Sequence, residues 1–277
     1  MSGPVLAIET LSAALAQGAR TALLHDVSLS VAAGEVHGLV GMSGAGKSMI
    51  GRAVLGILPP SVRITGGSIR VAGQEVTRLG ERAHRAALRA LALIPQDPLS
   101  ALNPSRRIGA QITDVMRLRL RTSHGAAEAR ARALLDEVRI REPERVLRAY
   151  PHELSGGMRQ RVLIAAAFAA EPKLIVADEP TTALDVTVQK QILRLLRDLQ
   201  RLHGTAILFV THDLGVVAKI CNQVSVLRDG RIVEQAPVAD IFAHPRDAYT
   251  RALVAAMPRY DRPDAVALPP ELAGSGA

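Results

Sequence analysis

The chain has 277 residues, 48% of them hydrophobic, and a net charge of +8. That length fits one large domain or a core with an appendage, and the apolar share is enough for a real core, which excludes a disordered chain. The longest unbroken apolar stretch, Val162 to Ala170, falls well short of the ~20 residues a membrane-spanning helix needs, so no span is expected.

The N-terminus has no basic run followed by an apolar one, so no export signal is expected. Cys221 is the single cysteine and cannot form an internal disulfide or a cysteine-based metal site, which fits a reduced, cytosolic setting. Arginine supplies nearly all the positive charge, the lysines being Lys47, Lys173, Lys190 and Lys219. Residues 63 to 89 hold six Arg against two Glu, which could face an anionic surface. Nucleic-acid platforms interleave such charge with aromatics, and here no Phe, Tyr or Trp precedes Tyr150. No direct nucleic-acid partner is expected.

In chain order, strands are expected at Val5 to Thr10, Val27 to Val31 and Val36 to Val40. A helix is expected from Ser48 to Leu58, stopped by Pro59 and Pro60. A hairpin follows from Ile69 through Gly73-Gln74 to Val76, then a strand from Leu91 to Ile94. Asp97 to Tyr150 reads as helices rich in Ala, Leu and Arg, an inserted subdomain. Beyond it, a helix running to about Ala170 and a buried strand at Leu174 to Ala177 are expected. Val188, Ile192, Leu195, Leu196 and Leu199 fall on one helical face. A strand at Ala206 to Val210 and a hairpin across Asp229-Gly230, pairing Val224–Leu227 with Arg231–Glu234, complete an alternating pattern. Strands alternating with helices imply a mostly parallel α/β sheet. The end, Leu268 to Ala277, is expected to fray.

Gly41-Met42-Ser43-Gly44-Ala45-Gly46-Lys47-Ser48 fits G-x-x-x-x-G-K-S, after an apolar strand and at the start of a helix. In such a loop glycines let backbone N–H groups turn inward around phosphate oxygens, and the helix N-terminus adds partial positive charge. Lys47 is placed on the β and γ phosphates of a nucleotide and the Ser48 hydroxyl on Mg²⁺. The apolar strand Leu174 to Ala177 ends in Asp178 and Glu179. Asp178 is expected to hold Mg²⁺, directly or through water, and Glu179 to orient or deprotonate the attacking water. Leu154-Ser155-Gly156-Gly157 opens another helix, with Ser155 a natural N-cap. A second helix end fit for an anion thus sits in one chain.

Taken in order, Gly41 to Ser48, Gln96, Leu154 to Gln160, Leu174 to Glu179, Ala183-Leu184-Asp185 and His212 resemble the ATP-binding subunits of ABC transporters. The resemblance covers about residues 5 to 240. It implies an α/β P-loop NTPase (RecA-like) core with an antiparallel β subdomain and an inserted helical subdomain at about 97–155, together forming an ATPase domain over residues 1–240. It implies ATP and Mg²⁺ as cofactors and a head-to-tail dimer. Ser155, Gly156 and Gly157 of one chain would face the γ-phosphate held by Gly41, Ser43, Gly44, Ala45, Gly46 and Lys47 of the other. Gln96 would sense Mg²⁺ and the water, His212 would contact the γ-phosphate and position Glu179, and Asp185 would lie at the dimer seam. Family members usually place an aromatic before the phosphate loop to stack on adenine. None exists here, so Gly18, Arg20 or a neighbour takes that position.

His244-Pro245-Arg246-Asp247-Ala248-Tyr249-Thr250-Arg251-Ala252-Leu253, then Met257-Pro258, looks like the C-terminal segment of dipeptide, oligopeptide and nickel importer ATPases. Residues 241–277 are read as that extension. No cysteine follows Cys221, so the iron–sulfur cluster common after this segment in peptide-type members is not expected, which leaves nickel or a metal chelate open as cargo. The implied partners are a paralogous ATPase subunit, two transmembrane permease subunits and an extracytoplasmic solute-binding protein, with the chain peripheral on the cytoplasmic face of the bacterial inner membrane. An exporter ATPase, or a soluble ABC protein of DNA repair or translation, is the alternative.

Overall fold

The structure is a computed structural model that describes residues 3–16, 21–77, 87–182 and 184–257. Along the chain the elements are β1 (Leu6–Leu15), β2 (Ala22–Val31), β3 (Val36–Val40), α1 (Lys47–Leu55), β4 (Val62–Val71), β5 (Gln74–Glu75), β6 (Leu91–Ile94), α2 (Pro98–Ala101), α3 (Ile108–Leu120) and α4 (His124–Glu137). They continue with α5 (Pro143–Arg148), α6 (Gly156–Phe168), β7 (Leu174–Asp178), α7 (Val186–His203), β8 (Ala206–Thr211), α8 (Leu214–Ile220), β9 (Gln223–Arg228), β10 (Arg231–Pro237), α9 (Val238–Ala243) and α10 (Ala248–Ala256). The chain divides into two compact units, residues 1–87 with 206–277, and residues 88–205.

The first unit holds an antiparallel sheet in the order β2-β1-β4-β5 and a second set of strands in the order β10-β9-β3-β8. In the latter, β3 lies parallel between β8 and β9. Every residue of β3 and of β8 is buried, the continuous apolar run of a parallel strand covered on both faces. The hairpin across Asp229-Gly230 forms as expected, with φ of 47° and 72° at the two turn residues, the positive values that such a two-residue loop requires.

Four expectations in this unit fall short: β1, expected to end at Thr10, runs on to Leu15, β2, expected from Val27, begins at Ala22, and β4 and α1 also differ. The strand expected from Ile69 begins at Val62 and runs through Gly66 and Gly67. Its register against β1 shifts between Glu9 and Ser12, and Gly67 turns at φ 81° with the oxygens of Glu9 and Thr10 each 2.4 Å from where a Cβ would stand. The glycines serve a bulge rather than a strand end. The helix expected to reach Leu58 stops at Leu55, because Gly56 takes a left-handed C-cap (φ 65°) whose N–H returns to the carbonyls of Ala53 and Arg52.

The second unit pairs β6 with β7 in parallel and carries α2 to α7. The expected apolar face of α7 is there: Ile192, Leu195, Leu196 and Leu199 are buried. Val188 is only part-buried and packs its Cγ1 3.3 Å from the Cβ position of Gly157. The frayed end expected from Leu268 lies outside the described residues.

Candidate functional site: a phosphate loop and an acid pair at strand ends

Each functional residue leaves the C-terminal end of a parallel strand or opens a helix, the places where open α/β sheets bind ligands. In the first unit Val40 pairs with Thr211, so Gly41 and His212 leave the sheet side by side. In the second, Ile94 pairs with Ala177, so the segments carrying Gln96 and Asp178-Glu179 leave together.

The phosphate loop, Gly41 to Ser48, is held from several directions. A Cβ on Gly41 would stand 2.2 Å from the Leu227 oxygen, so only glycine fits. Gly46 turns at φ 105° with the Leu24 side chain 2.9 Å from its Cβ position. The Gly230 N–H donates to the Ala45 oxygen at 3.0 Å. Lys47 opens α1 at 5% exposure, and its Nζ donates to the Gly41 oxygen at 2.8 Å and the Met42 oxygen at 3.0 Å. A buried ammonium needs such acceptors, and phosphate oxygens are better ones. The helix behind it docks through Ile50, Ala53, Val54 and Leu55.

His212 is exposed at the end of β8. The residues on either side fix the backbone there: Asp213 N–H donates to Thr211 Oγ1 at 3.0 Å, and Asp213 Oδ1 caps α8 by accepting from Gly215 N at 2.7 Å.

In the second unit Glu179 sits at φ 45°, immediately before Pro180. A left-handed non-glycine residue costs about 1–3 kcal/mol and is kept where its surroundings over-determine it. Glu179 Oε2 accepts from Gln96 Nε2 at 3.3 Å and from Thr182 Oγ1 at 3.0 Å. Gln96 and Glu179, 83 residues apart in the chain, are thus brought together. The Thr182 contact was not foreseen, although a hydroxyl three residues after a carboxylate in a tight turn is a usable signal.

Ser155 caps α6, its Oγ accepting from Met158 N at 3.4 Å, and nothing stands within 4 Å of the Cβ position of Gly156. Asp185, expected at a dimer seam, caps α7: its Oδ1 accepts from Thr187 N at 3.0 Å and Val188 N at 2.9 Å. Ala183 and residues 17–20, which include the expected adenine-facing positions Gly18 and Arg20, lie outside the described residues.

In the first unit Ser48 offers a hydroxyl oxygen, and in the second Gln96 and Asp178 offer amide and carboxylate oxygens, each a hard donor of the kind that suits Mg²⁺. Among the described residues no group of three or more His, Cys, Asp or Glu gathers as a metal cage.

A strand, a glycine-rich loop and a helix arranged in this way, with a buried loop lysine, define a P-loop nucleotide-binding protein. Comparison with known proteins narrows the class. The family model described as "ABC transporter" matches residues 24–182, more than half of the chain. "Peptidoglycan transport ATP-binding protein YejF" of Agrobacterium fabrum is 47% identical over 270 residues, covering 96% of this chain and 50% of that protein. "Probable peptide ABC transporter ATP-binding protein y4tR" of Sinorhizobium fredii is 48% identical over 240 residues, covering 86% of this chain and 72% of that protein. The chain therefore spans half the length of the first relative and about three quarters of the second. Among solved structures, the one titled "Dimeric structure of a post-hydrolysis state of the ATP-binding cassette MJ0796 bound to ADP and Pi" matches with a TM-score of 0.74 at 25% identity, covering 84% of this chain and 98% of that one. The chain belongs to the ABC transporter family, and its cassette is an ATPase of that class.

Proposed function

We propose that this chain hydrolyses ATP to energise a bacterial importer of dipeptides or oligopeptides. The observation that carries the reading is the buried Lys47, seated on the carbonyls of Gly41 and Met42 inside the phosphate loop. The peptide in the printed name of y4tR supports the cargo class. The C-terminal segment from His244 to Leu253 leans the same way and also fits nickel importers.

Gly41, Ser43, Gly44, Ala45 and Gly46 present backbone N–H groups to the phosphates of ATP, and Lys47 neutralises the β and γ charge. Glu179 takes the proton of the attacking water, held in place by Gln96, and His212 steadies the γ-phosphoryl group. Ser48, Asp178 and Gln96 would hold Mg²⁺, which when bound offsets phosphate charge. Ser155, Gly156 and Gly157 serve the ATP of a partner ATPase, and Asp185 lies near that seam. The partner is a paralogous subunit.

No described helix is long and apolar enough to cross a membrane. In this reading two permease subunits supply the transmembrane path and place the chain at the cytoplasmic face of the inner membrane, and a solute-binding protein delivers the cargo. The domain reading stands with this proposal: an ATPase domain over 1–240, its helical subdomain at about 97–155, and an importer-type extension over 241–277.

The test is reconstitution in liposomes with the two permeases, the paralogue and the binding protein. ATP-dependent uptake of a labelled dipeptide or oligopeptide, lost in Lys47→Ala, is the expected result. Uptake of nickel instead would move the cargo to the metal branch, and lack of ATP turnover would overturn the reading.

A further inference from the structure

The peptide that joins Gly41 to Met42, at the start of the phosphate loop, is held by both edges. Its oxygen, on Gly41, accepts from Lys47 Nζ at 2.8 Å. Its N–H, on Met42, donates to the Tyr249 hydroxyl oxygen at 3.1 Å. In a trans peptide these two groups point in opposite directions, so lysine and tyrosine pull on opposite sides of one plane. Hydrogen bonds in such a chain polarise one another, and a donating N–H makes the carbonyl of the same peptide a better acceptor for Lys47.

Tyr249 reaches the loop from α10, outside the residues the family model matches. Its own position is built. Glu234 of β10 accepts from the N–H groups of Arg246 at 2.8 Å and Asp247 at 3.0 Å, which docks the start of α10. Asp247 Oδ1 then caps Tyr249 N at 2.7 Å. The Arg228 guanidinium lies 5.1 Å from the centre of the tyrosine ring, within cation–π range. A cavity of about 600 Å³ is lined by Ser43, Gly44 and Ala45 of the loop, by Tyr249 and Ala252 of α10, and by Arg228 of β9. The contact is not a by-product of core packing, because Met42 is 62% exposed and Tyr249 is only part-buried.

We propose that Tyr249 is a positioning residue for ATP binding. Its hydroxyl fixes the orientation of the Gly41–Met42 peptide, and through that peptide the resting place of Lys47, so the C-terminal helix acts as a strut on the phosphate loop. The proposal rests on the loop being the ATP site. Without the hydroxyl, the Met42 N–H turns to water, the peptide plane rocks, and the lysine is less well preorganised for phosphate. The cost falls on nucleotide binding rather than on the chemical step, because Glu179 and His212 are untouched.

The experiment compares wild type, Tyr249→Phe and Lys47→Ala. Phenylalanine keeps the ring beneath Arg228 and removes only the acceptor. MgATP affinity is measured on the purified chain by calorimetry, amide exchange at Met42 by NMR, and kcat and KM in the reconstituted complex. Tyr249→Phe is expected to weaken MgATP binding about 2- to 10-fold, the effect of one neutral hydrogen bond. Met42 exchange should quicken, KM should rise and kcat should stay level. Wild-type affinity in Tyr249→Phe overturns the proposal while leaving the ATP reading intact. Weakened affinity with unchanged Met42 exchange, or a fall in kcat at constant KM, also overturns it. If wild type binds MgATP no better than Lys47→Ala, the ATP reading fails and the strut fails with it.

Discussion

Helix α1 begins after a left-handed glycine, Gly46, with no side chain to cap it, whereas α6 begins after Ser155, whose Oγ accepts from the Met158 N–H at 3.4 Å. The first four N–H groups of any helix lack intrahelical partners. At α1 the chain surrounds that end with its own loop and buries a lysine there on loop carbonyls. At α6 the chain satisfies one donor locally and leaves the space over Gly156 open. The difference separates two uses of one electrostatic device. In the proposed function the α1 end holds an anion within this chain, and the α6 end, finished and exposed, is offered to an anion bound elsewhere. The head-to-tail dimer of the proposed function needs one end of each kind.

The largest effect is expected where neither helix end acts. If both ends only bind, removing the base should stop hydrolysis and spare binding. Glu179→Gln keeps the acceptor for Gln96 and Thr182 but cannot take a proton. Phosphate release by the assembled complex should fall about 10²–10⁴-fold, the usual worth of general base catalysis, while MgATP affinity by calorimetry stays at the wild-type value. Turnover at the wild-type rate would remove Glu179 from its role.

Next comes the contrast between the ends themselves. Ser155→Ala should lower turnover of the assembled complex about 10²–10³-fold, the loss of one anion-stabilising contact. It should leave MgATP affinity of the isolated chain unchanged. Lys47→Ala should abolish that affinity in the isolated chain. A Ser155→Ala protein that binds MgATP poorly by itself would show that both ends serve one chain.

A third pair tests packing. Gly41→Ala forces a methyl against the Leu227 oxygen, 2.2 Å from its Cβ position, and should cost about 1–3 kcal/mol or more in urea unfolding, as overpacking does. Gly156→Ala meets nothing within 4 Å and should be neutral or stabilising by up to about 1 kcal/mol from helix propensity. Equal destabilisation by both would erase the distinction between an enclosed and an open helix end.

What the sequence disclosed follows the same division. The phosphate loop was legible because eight consecutive residues carry it and its strand and helix adjoin it. The acid pair was legible for the same reason. The tether from Tyr249 to Met42 spans 207 residues, and no local pattern announces it, although the segment around Tyr249 stood out by resemblance. The start of β4 at Val62 is hidden in the sequence, because Gly66 and Gly67 weaken the strand pattern ahead of Ile69. Only the pairing with β1 shows that Gly67 serves a bulge. The end of α1 was misplaced by giving weight to Pro59-Pro60 over Gly56, the nearer and correct stop. Local chemistry was readable, and long-range backbone contacts were not.

The smallest effect concerns the base of the nucleotide. In the proposed function, what the α1 end gives the nucleotide meets its phosphates: loop N–H groups, the helix terminus and Lys47. ATP and GTP share those phosphates. No Phe, Tyr or Trp precedes Tyr150, so the chain supplies none of these three large rings ahead of the loop to stack on adenine. Stacking on such a ring is worth about 1–3 kcal/mol per base, and its absence leaves selectivity to weaker contacts. The isolated chain should therefore bind MgATP and MgGTP with affinities within a factor of about ten of each other, or 1.4 kcal/mol. Competition of each nucleotide against a fluorescent ATP analogue measures the ratio. Strong preference for ATP in the isolated chain would mean that a non-aromatic group, such as the plane of Arg20, reads the base. Preference that appears only after the paralogue is added would place the reading group on the partner.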